Sequence, residues 1–245
     1  MADQLLARSF LDAGEDYDRY RPGFPAAAAD AIAPRPVRTA LDLGAGTGKF
    51  TELLIERAAR VIAVEPSERM LAVLRRKLPG VETVIGSAEA IPVADAAASV
   101  VTVAQAFHWF DRGAACAQIH RVLEPGGVLG LIWNRSDPSC SWDHACHRVA
   151  HPAVGDTDET TDSAAEELPG FVFEELTTIR WSESITRADY LSRWLTVSSF
   201  LAASEAERAR MLAALVQILD GNPETADHDR FELAHLTDVY VYRAR

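Results

Sequence analysis

Short apolar runs alternate with amphipathic stretches of helical length through the middle of the chain. After Pro34 and Pro36, the segment RTALDLGAGTGKFTELLIERAARVIAVEPSERMLAVLRRKLPGVETVIGSAEAIP predicts strand, helix, strand, helix and strand. The runs ASVVTVAQAF and VLGLIWN predict two further strands, separated by the amphipathic RGAACAQIHRVL and a turn at Pro125-Gly126-Gly127. Because these strand runs are continuously apolar, helices should cover both faces of the sheet. Five βα units in sequence predict an α/β fold with a parallel, doubly wound sheet.

The two ends of the chain depart from this pattern. The first 30 residues mix charges, aromatics and an alanine run, and predict a loop with Pro22 and Pro25 that leads into a helix. Towards the C-terminus, FVFEELTTIRW and FELAHLTDVYVYRA predict strands, with helices at ADYLSRWLTVSSFL and SEAERARMLAALVQIL between them. Neither an internal repeat nor a long Gly/Ser linker separates a second domain, so one domain over 1–245 is expected.

Composition excludes several classes of protein. The chain has 245 residues, and its 36 acidic and 24 basic residues give a net charge of −12, which would repel nucleic acid. Three cysteines are too few for a disulfide framework, and the apolar runs are too short to span a bilayer. The segment MADQLLARSF lacks the features of an export signal, so a cytoplasmic location is expected, with no membrane or nucleic-acid partner.

A glycine loop follows the first predicted strand. In Ala40-Leu-Asp-Leu-Gly-Ala-Gly-Thr-Gly-Lys-Phe50 the glycines have the spacing G-x-G-x-G, which allows backbone to approach a ligand closely. A dinucleotide fingerprint would require glycine at position 49, where this chain has Lys49. Asp42, at the end of the strand, is poorly suited to a pyrophosphate and suits a cationic ligand instead.

A second acid ends the next strand. Glu65 lies seventeen residues beyond Gly48, at the usual place for a carboxylate that accepts hydrogen bonds from both ribose hydroxyls. The alternative is an ordinary tight turn followed by a surface acid. Together, Asp42 and Glu65 favour an adenosine ligand with a ribose diol, no required phosphate and a charged end that resembles an amino acid.

These motifs resemble those of the class I S-adenosylmethionine-dependent methyltransferases over nearly the whole chain. LDLGAGTGKF is similar to the first motif of that family, GSAEAIP to its segment beside adenine, and LEPGGVLGLIWN to its fifth strand. YDRYRPGFP, AQAFHWFD and LTDVYVYRAR resemble the small-molecule, type 11 group that includes trans-aconitate methyltransferases. The resemblance implies a Rossmann-like, mostly parallel seven-stranded sheet of order 3-2-1-4-5-7-6 with helical caps. It also implies that the cofactor is S-adenosylmethionine, which the reaction converts into S-adenosylhomocysteine. The domain would consist of an N-terminal cap at 1–35, a cofactor-binding core at 36–135, and a substrate cap with the last two strands at 136–245.

The resemblance also assigns residues to the cofactor. Asp42 would hold the amino group, Glu65 the ribose, and Arg21 the carboxylate. Ser87 stands where many relatives carry an aspartate, so the charged contact with the adenine amine would be replaced by a hydroxyl. The full expected cofactor set is Tyr20, Arg21, Asp42, Gly44, Ala45, Gly46, Gly48, Glu65, Pro66, Ser87, Ala88, Glu89, Ala104 and Gln105.

His108 is the candidate catalytic residue. Methyl transfer from a sulfonium releases a neutral thioether, so the protein mainly positions the acceptor and excludes water. A hydroxyl acceptor benefits from a base, which His108 could supply just after the fourth strand, whereas a carboxylate acceptor needs none. The alternatives for His108 are a contact with cofactor or substrate and a purely structural role in its loop. Tyr17, His108, Trp109 and Trp133 are the expected substrate residues, although aromatics at strand ends also fill cores. Tyr17, Trp194 and Phe200 could form a lid.

The run Cys140-Ser-Trp-Asp-His-Ala-Cys-His-Arg-Val-Ala-His151 places three histidines on one face of a predicted helix. Zinc binding is geometrically conceivable, but the spacing matches no metal signature, so we expect no metal and a polar helix above the substrate pocket. The sequence therefore predicts methylation of a small molecule, with oxygen of a carboxylate or hydroxyl favoured. The alternatives are a non-catalytic protein that binds S-adenosylmethionine or S-adenosylhomocysteine and, less favoured, a nicotinamide-dependent oxidoreductase. The acceptor and the oligomeric state are left open.

Overall fold

The computed structural model of the chain describes residues 14–151 and 167–245. Its centre is one sheet in the order β3-β2-β1-β4-β5-β7-β6. Neighbours from β3 to β5 are parallel, and β7 runs antiparallel to both β5 and β6. The predicted sheet order and the antiparallel β7 are confirmed. The strands are β1 (Val37–Leu43), β2 (Ala58–Glu65), β3 (Glu82–Ile85), β4 (Ala98–Ala104), β5 (Leu123–Ser136), β6 (Phe171–Thr186) and β7 (Arg230–Ala244).

Helices cover both faces of the sheet and one of its ends. They are α1 (Glu15–Tyr20), α2 (Ala26–Ile32), α3 (Thr51–Leu54), α4 (Glu68–Lys77), α5 (Arg112–Val122), α6 (Ser141–Ala150), α7 (Arg187–Trp194), α8 (Ser198–Ala202) and α9 (Glu205–Gly221), with a short 3₁₀ helix at Phe107–Trp109. Because side chains alternate along a strand, β1 contributes Leu41 and Leu43 to the core on the α5 side. Ala40 packs on the opposite side with α2 and α4. The doubly wound arrangement predicted from continuously apolar strands is confirmed.

A third apolar cluster forms the C-terminal cap. Trp142 of α6, Tyr190 and Trp194 of α7, and Phe231 of β7 belong to it, and neighbouring rings meet edge to face at centroid distances of 5.0 to 6.0 Å. Phe200, expected as part of a lid, is fully buried in this cluster. The expected division into three segments stays a prediction.

Three elements differ from the pattern read along the sequence. The first 30 residues contain helix α1, which ends just before Pro22, a residue that disfavours helix at the position preceding it. The predicted turn at Pro125-Gly126-Gly127 is a bulge inside β5, because Leu123 still pairs with Ala98 before the ladder resumes at Val128. The single helix expected over 188–201 is divided into α7 and α8, since Val197 is extended.

The N-terminal segment is fixed to the sheet through a contact that requires glycine. Gly130, on β5, lies beneath Ile32 of α2, and a Cβ atom at position 130 would stand 2.5 Å from Ile32 Cδ1 and 2.7 Å from its Cγ1. Such distances are too short for carbon atoms, so α2 packs on β5 only because that position has no side chain.

We predict that Gly130→Ala lowers the free energy of unfolding by about 1–3 kcal/mol, because the new methyl group forces α2 away from the sheet. Urea denaturation measures this. Adding Ile32→Ala should recover part of the loss, since it removes the overlapping atoms. Gly80→Ala is the matched control, because an added methyl group there meets nothing within 4 Å. Equal stability of the Gly130 variant and the wild type would contradict the prediction.

Candidate active site

A cavity of about 450 Å³ opens at the carboxyl ends of β1, β2 and β4. Ligands bind outside the carboxyl ends of parallel strands in open α/β sheets, at the point where strand order reverses. The loops after β1 and β4 form two of its walls, and the segment between α1 and α2 forms a third. Of the residues expected from the sequence, those that line the cavity are Arg21, Asp42, Gly44, Ala45, Gly46, Glu65, Pro66, Ala104, Gln105, His108 and Trp109.

The glycine loop brings backbone to the cavity. Gly44 has φ of 70° and Gly46 has φ of 55°, a left-handed conformation that residues with side chains rarely adopt. A Cβ atom at Gly44 would also lie 2.7 Å from Ala106 Cβ in the loop after β4. Gly48 lies outside the cavity lining and packs against Leu74 of α4, and its expected backbone contact with the cofactor stays a prediction.

Asp42 is a buried carboxylate at the floor of the cavity. Its Oδ2 accepts a hydrogen bond from Thr51 Oγ1 at 2.6 Å, and its Oδ1 accepts one from Thr102 Oγ1 at 2.8 Å. Burial raises the pKa of Asp42 from 3.8 to about 6, although the two hydroxyl donors act in the opposite direction. A cation bound beside Asp42 would compensate for the water that the carboxylate loses on folding.

Glu65 connects the loop after β1 with the start of α4. Its Oε2 accepts from the N–H of Gly46 at 3.0 Å, and its Oε1 accepts from the N–H of Ser67 at 2.9 Å. Burial raises the pKa of this carboxyl, and the two backbone donors partly offset the effect. Since each carboxylate oxygen has a second lone pair, Glu65 can still accept two hydroxyl donors from a ligand.

Lys49 is a cavity residue that sequence reasoning missed as a binding group. It stands at the position where a dinucleotide-binding loop would require glycine, and its side chain is half-buried and lines the cavity. Burial lowers the pKa of Lys49, while Asp18 and Glu52 act in the opposite direction. The sequence does carry a feature that indicates this role for Lys49, because a cationic residue directly follows the glycine loop.

The loop after β4 forms the other side of the cavity. Gln105 has φ of 55°, and its Nε2 donates to the carbonyl oxygen of Asn134 at 2.9 Å. His108 is exposed and its ring lies 4.5 Å from that of Trp109, centroid to centroid. The Nδ2 of Asn134 donates to Gly23 O at 2.8 Å, which joins the end of β5 to the N-terminal segment.

Two of the residues expected at the site, Trp133 and Tyr20, do not line the cavity. Trp133 is 1% exposed and packs edge to face against Tyr240, at 5.6 Å between ring centroids. It shares the face of β5 with Leu129 and Leu131, which point to the α5 side, so its expected contact with substrate is corrected to a core role. The ring of Tyr20 lies beneath the guanidinium of Arg19 and outside the cavity lining, and its expected contact with the cofactor stays a prediction.

The remaining expected contacts are less direct. Ala88 is buried in the core cluster, while exposed Glu89 accepts a hydrogen bond from the N–H of Asp111 at 3.0 Å. With Ser87 they lie outside the cavity lining, and their assignment to adenine stays a prediction. The side chain of Tyr17 lies outside the described residues. Trp194 is 3% exposed in the cap cluster.

The histidine-rich segment forms α6 as predicted. Over the described ranges, 14–151 and 167–245, no three His, Cys, Asp or Glu side chains are arranged to hold a metal ion. Burial raises the pKa of the Cys140 thiol to about 11 and of the Cys146 thiol to about 12. His151, at the end of α6, lines the cavity, which the sequence had indicated only as a polar helix above the pocket. No helix within the described residues is long and apolar enough to cross a bilayer.

Comparison with known proteins decides the family. Residues 41–131 match the model of a methyltransferase domain. The chain is 35% identical to an uncharacterized methyltransferase of Mycobacterium tuberculosis over 95% of its own length and 94% of the relative. It superimposes with a TM-score of 0.70 and 26% identity on a candidate type II methyltransferase of Anaeromyxobacter dehalogenans, covering 92% and 98% of the two chains. The chain belongs to the class I S-adenosylmethionine-dependent methyltransferases.

A shorter similarity concerns one part of this methyltransferase. Over 106 residues, 41% of this chain and 38% of the relative, it is 41% identical to a malonyl-[acyl-carrier protein] O-methyltransferase of Methylococcus capsulatus. Family membership sets aside the nicotinamide-dependent oxidoreductase and the non-catalytic binding protein as alternatives.

The residues of the cavity fit the chemistry of S-adenosylmethionine, the methyl donor of the family. The methionine part of the cofactor carries an ammonium group and a carboxylate. The lining offers Asp42 as an anion for the first, and Lys49 and Arg21 as cations for the second. A ribose diol needs acceptor oxygens, which Glu65 offers, and a flat base needs apolar surface, which Pro66 and Met70 offer.

We predict that unfolding of the empty enzyme depends on pH through Asp42. The folded state keeps a proton on this carboxyl up to about pH 6, whereas the unfolded chain releases it near pH 3.8, so stability is lost as pH rises through this window. The Asp42→Asn variant should lose much less stability than the wild type between pH 4 and pH 7, with a difference on the order of 3 kcal/mol.

Urea denaturation at pH 4, 5, 6 and 7 measures this difference. Glu52→Gln, a change to an exposed acid on the neighbouring α3, is the control and should keep the pH dependence of the wild type. Parallel pH profiles for Asp42→Asn and the wild type would show that the buried carboxyl does not cause the loss.

Proposed function

We propose that this methyltransferase transfers the methyl group of S-adenosylmethionine to an oxygen of a small molecule. The observation that carries the proposal is a pair of hydrogen bonds that joins the two caps beside the cavity. Arg21 Nη2 donates to Thr196 O at 2.8 Å, and Arg193 Nε donates to Tyr20 O at 2.6 Å. These reciprocal bonds join the N-terminal segment to the C-terminal cap beside the cavity. A concave pocket bordered by both caps suits a metabolite better than a folded protein or a nucleic acid.

The cofactor end of the pocket would use the residues that flank the glycine loop. Asp42 would accept from the ammonium group of the methionine part, and Lys49 with Arg21 would neutralise its carboxylate. Gly44, Ala45 and Gly46 would present backbone to the same part, while Glu65 would accept from the ribose hydroxyls and Pro66 would pack against adenine. Burial strengthens each of these charged contacts because the local dielectric constant is low.

The acceptor end would lie beyond Ala104 and Gln105, beside His108 and Trp109. The bound cofactor supplies a methyl group on a sulfonium, an electrophile that needs no acid for departure of the thioether. The chain's task is to hold an acceptor oxygen in line with the methyl carbon and to exclude water. His108 would contact the acceptor, and it would take a proton only from a hydroxyl acceptor. The O-methyltransferase relative supports oxygen as the methylated atom.

The test is methyl transfer from labelled S-adenosylmethionine into an extract separated by size. We expect label in the small-molecule fraction, in products that lose it on hydrolysis of a methyl ester or cleavage of a methyl ether. Titration calorimetry with S-adenosylhomocysteine and with NAD runs beside it, and only the former should bind. Label confined to protein or nucleic acid, or none transferred by protein that binds the cofactor, would overturn the proposal.

We further predict that His108→Ala lowers kcat/KM for the acceptor by roughly tenfold, the size of one lost polar contact, while the affinity for S-adenosylhomocysteine stays constant. Steady-state kinetics with the labelled acceptor fraction measures the first quantity and calorimetry the second. His120→Ala is the control, because His120 lies at the opposite end of the sheet beside Phe171. Unchanged kinetics of the His108 variant would remove this histidine from the acceptor site.

A further inference from the structure

A second cavity, of about 120 Å³, adjoins the first on the side of the C-terminal cap. Arg21, Gln105 and Asn134 line both cavities. We name this second cavity the annex. Its further walls come from β5, α6 and α7, and include Arg135, Asp143, His147, Tyr190, Arg193 and Trp194. A molecule in the annex could therefore reach the acceptor end of the cofactor cavity past Gln105 and Asn134.

Three arginines converge on the annex from separate parts of the fold. Arg21 follows α1, Arg135 lies on β5 and Arg193 lies on α7. The chain as a whole carries a charge of −12, so a group of three cations at one small cavity is contrary to its average composition. A guanidinium group carries five N–H donors and no acceptor.

The acids that pair with two of these arginines do not line the annex. Asp238 accepts from Arg135 Nε at 2.5 Å and from Arg135 Nη2 at 3.3 Å. Glu183 accepts from Arg193 Nη1 at 2.6 Å, and neither acid belongs to the lining. Burial disfavours the charge of Glu183, yet hydrogen bonds from His235 and Arg193 hold its pKa at about 2. These carboxylates fix the guanidinium groups in orientation and offset their charge from outside the cavity.

The acid that does line the annex has both of its oxygens engaged. Asp143 Oδ1 accepts from the Tyr190 hydroxyl at 2.7 Å, and Oδ2 accepts from the Ser136 hydroxyl. His147 Nε2 lies 3.6 Å from the same Oδ2. The polar lining of the annex is therefore rich in donors and poor in available acceptors.

Resting on the methyl transfer proposed above, we propose that the annex binds a carboxylate of the methyl acceptor. The acceptor is then a small organic acid, anchored by Arg135 and Arg193, with its reacting oxygen held at the boundary formed by Gln105 and Asn134. An ionised carboxylate only accepts hydrogen bonds and matches the planar donor edge of a guanidinium.

Charge and shape favour a carboxylate over a phosphate in the annex. The annex has three acids beside its three arginines, because Asp143 lies in the lining while Asp238 and Glu183 pair with Arg135 and Arg193 from outside it. With so little excess positive charge, the site suits a singly charged carboxylate better than a doubly charged phosphate. The rings of Tyr190 and Trp194 supply the apolar wall that the carbon chain of an organic acid requires.

The experiment uses the full chain saturated with S-adenosylhomocysteine. Carboxylic acids of four to eight carbons, their primary amides and inorganic phosphate are titrated by calorimetry. Arg135 and Arg193 are each changed together with the partner acid, so that no carboxylate is left without its arginine: Arg135→Gln with Asp238→Asn, and Arg193→Gln with Glu183→Gln. Arg193→Lys keeps the charge and loses the planar fork. The matched control is Arg243→Gln with Glu174→Gln, an exposed ion pair on the outer part of the sheet.

We expect at least one acid to bind the wild type and its amide to bind at least about tenfold more weakly, as loss of a charge-assisted pair requires. Both paired annex variants should weaken that acid by a similar factor, Arg193→Lys by less, and the control by nothing. Affinity for S-adenosylhomocysteine should stay constant throughout, which also shows that each variant is folded.

Equal binding of acids and amides, no binding of any acid, or tighter binding of phosphate would overturn the assignment of the annex. These outcomes differ from failure of the proposed function. A protein that does not bind S-adenosylhomocysteine, or that leaves small molecules unlabelled, would refute the proposed methyl transfer itself. Normal cofactor binding without preference for carboxylates refutes only the annex.

Discussion

The Glu65 carboxylate is the interaction on which the geometry of the active site depends. It accepts one hydrogen bond from the N–H of Gly46 in the glycine loop and one from the N–H of Ser67, the N-cap of α4, so one side chain connects the loop after β1 with the start of α4. The N–H groups of Gly44 and Ala45 still donate to Val64 O of β2, whereas the N–H of Gly46 donates to the Glu65 side chain instead of to a strand. Glu65 therefore fixes the orientation of the Gly46 peptide that lines the cavity.

The caps are positioned by contacts of a different kind. Arginine side chains of one cap donate to backbone carbonyl oxygens of the other, at Thr196 and Tyr20. Asn134 reaches Gly23 O from the end of β5, and its Oδ1 accepts from Thr237 Oγ1 at 2.6 Å. Such bonds have direction, and they use backbone groups that would otherwise need water. The segment between α1 and α2 is thereby held against both the sheet and the C-terminal cap, and the cavities beneath it acquire a defined wall.

The sheet was accessible from the sequence because strand and helix periods are local properties. The apolar runs and the loop residues between them predicted each strand of the sheet, and the resemblance supplied their order. Asp42 and Glu65 could be found for the same reason, since both lie at the ends of recognisable strands. The role of Trp133 could not be assigned correctly, because the direction of its side chain depends on which face of β5 packs against α5. Lys49, His151 and the arginines of the annex come together only in the folded chain, where residues 21, 135 and 193 meet.

The packing of Ile32 over Gly130 has a consequence for how this family can vary. The close contact at Gly130 fixes the position of α2, and only four residues lie between Arg21 and the first residue of that helix. The segment between α1 and α2, which forms the wall above the cavities, is thus short, and its C-terminal end is fixed to the sheet through α2. Evolution can change its side chains to suit a new acceptor, but lengthening or shifting it would require a simultaneous change in the central sheet.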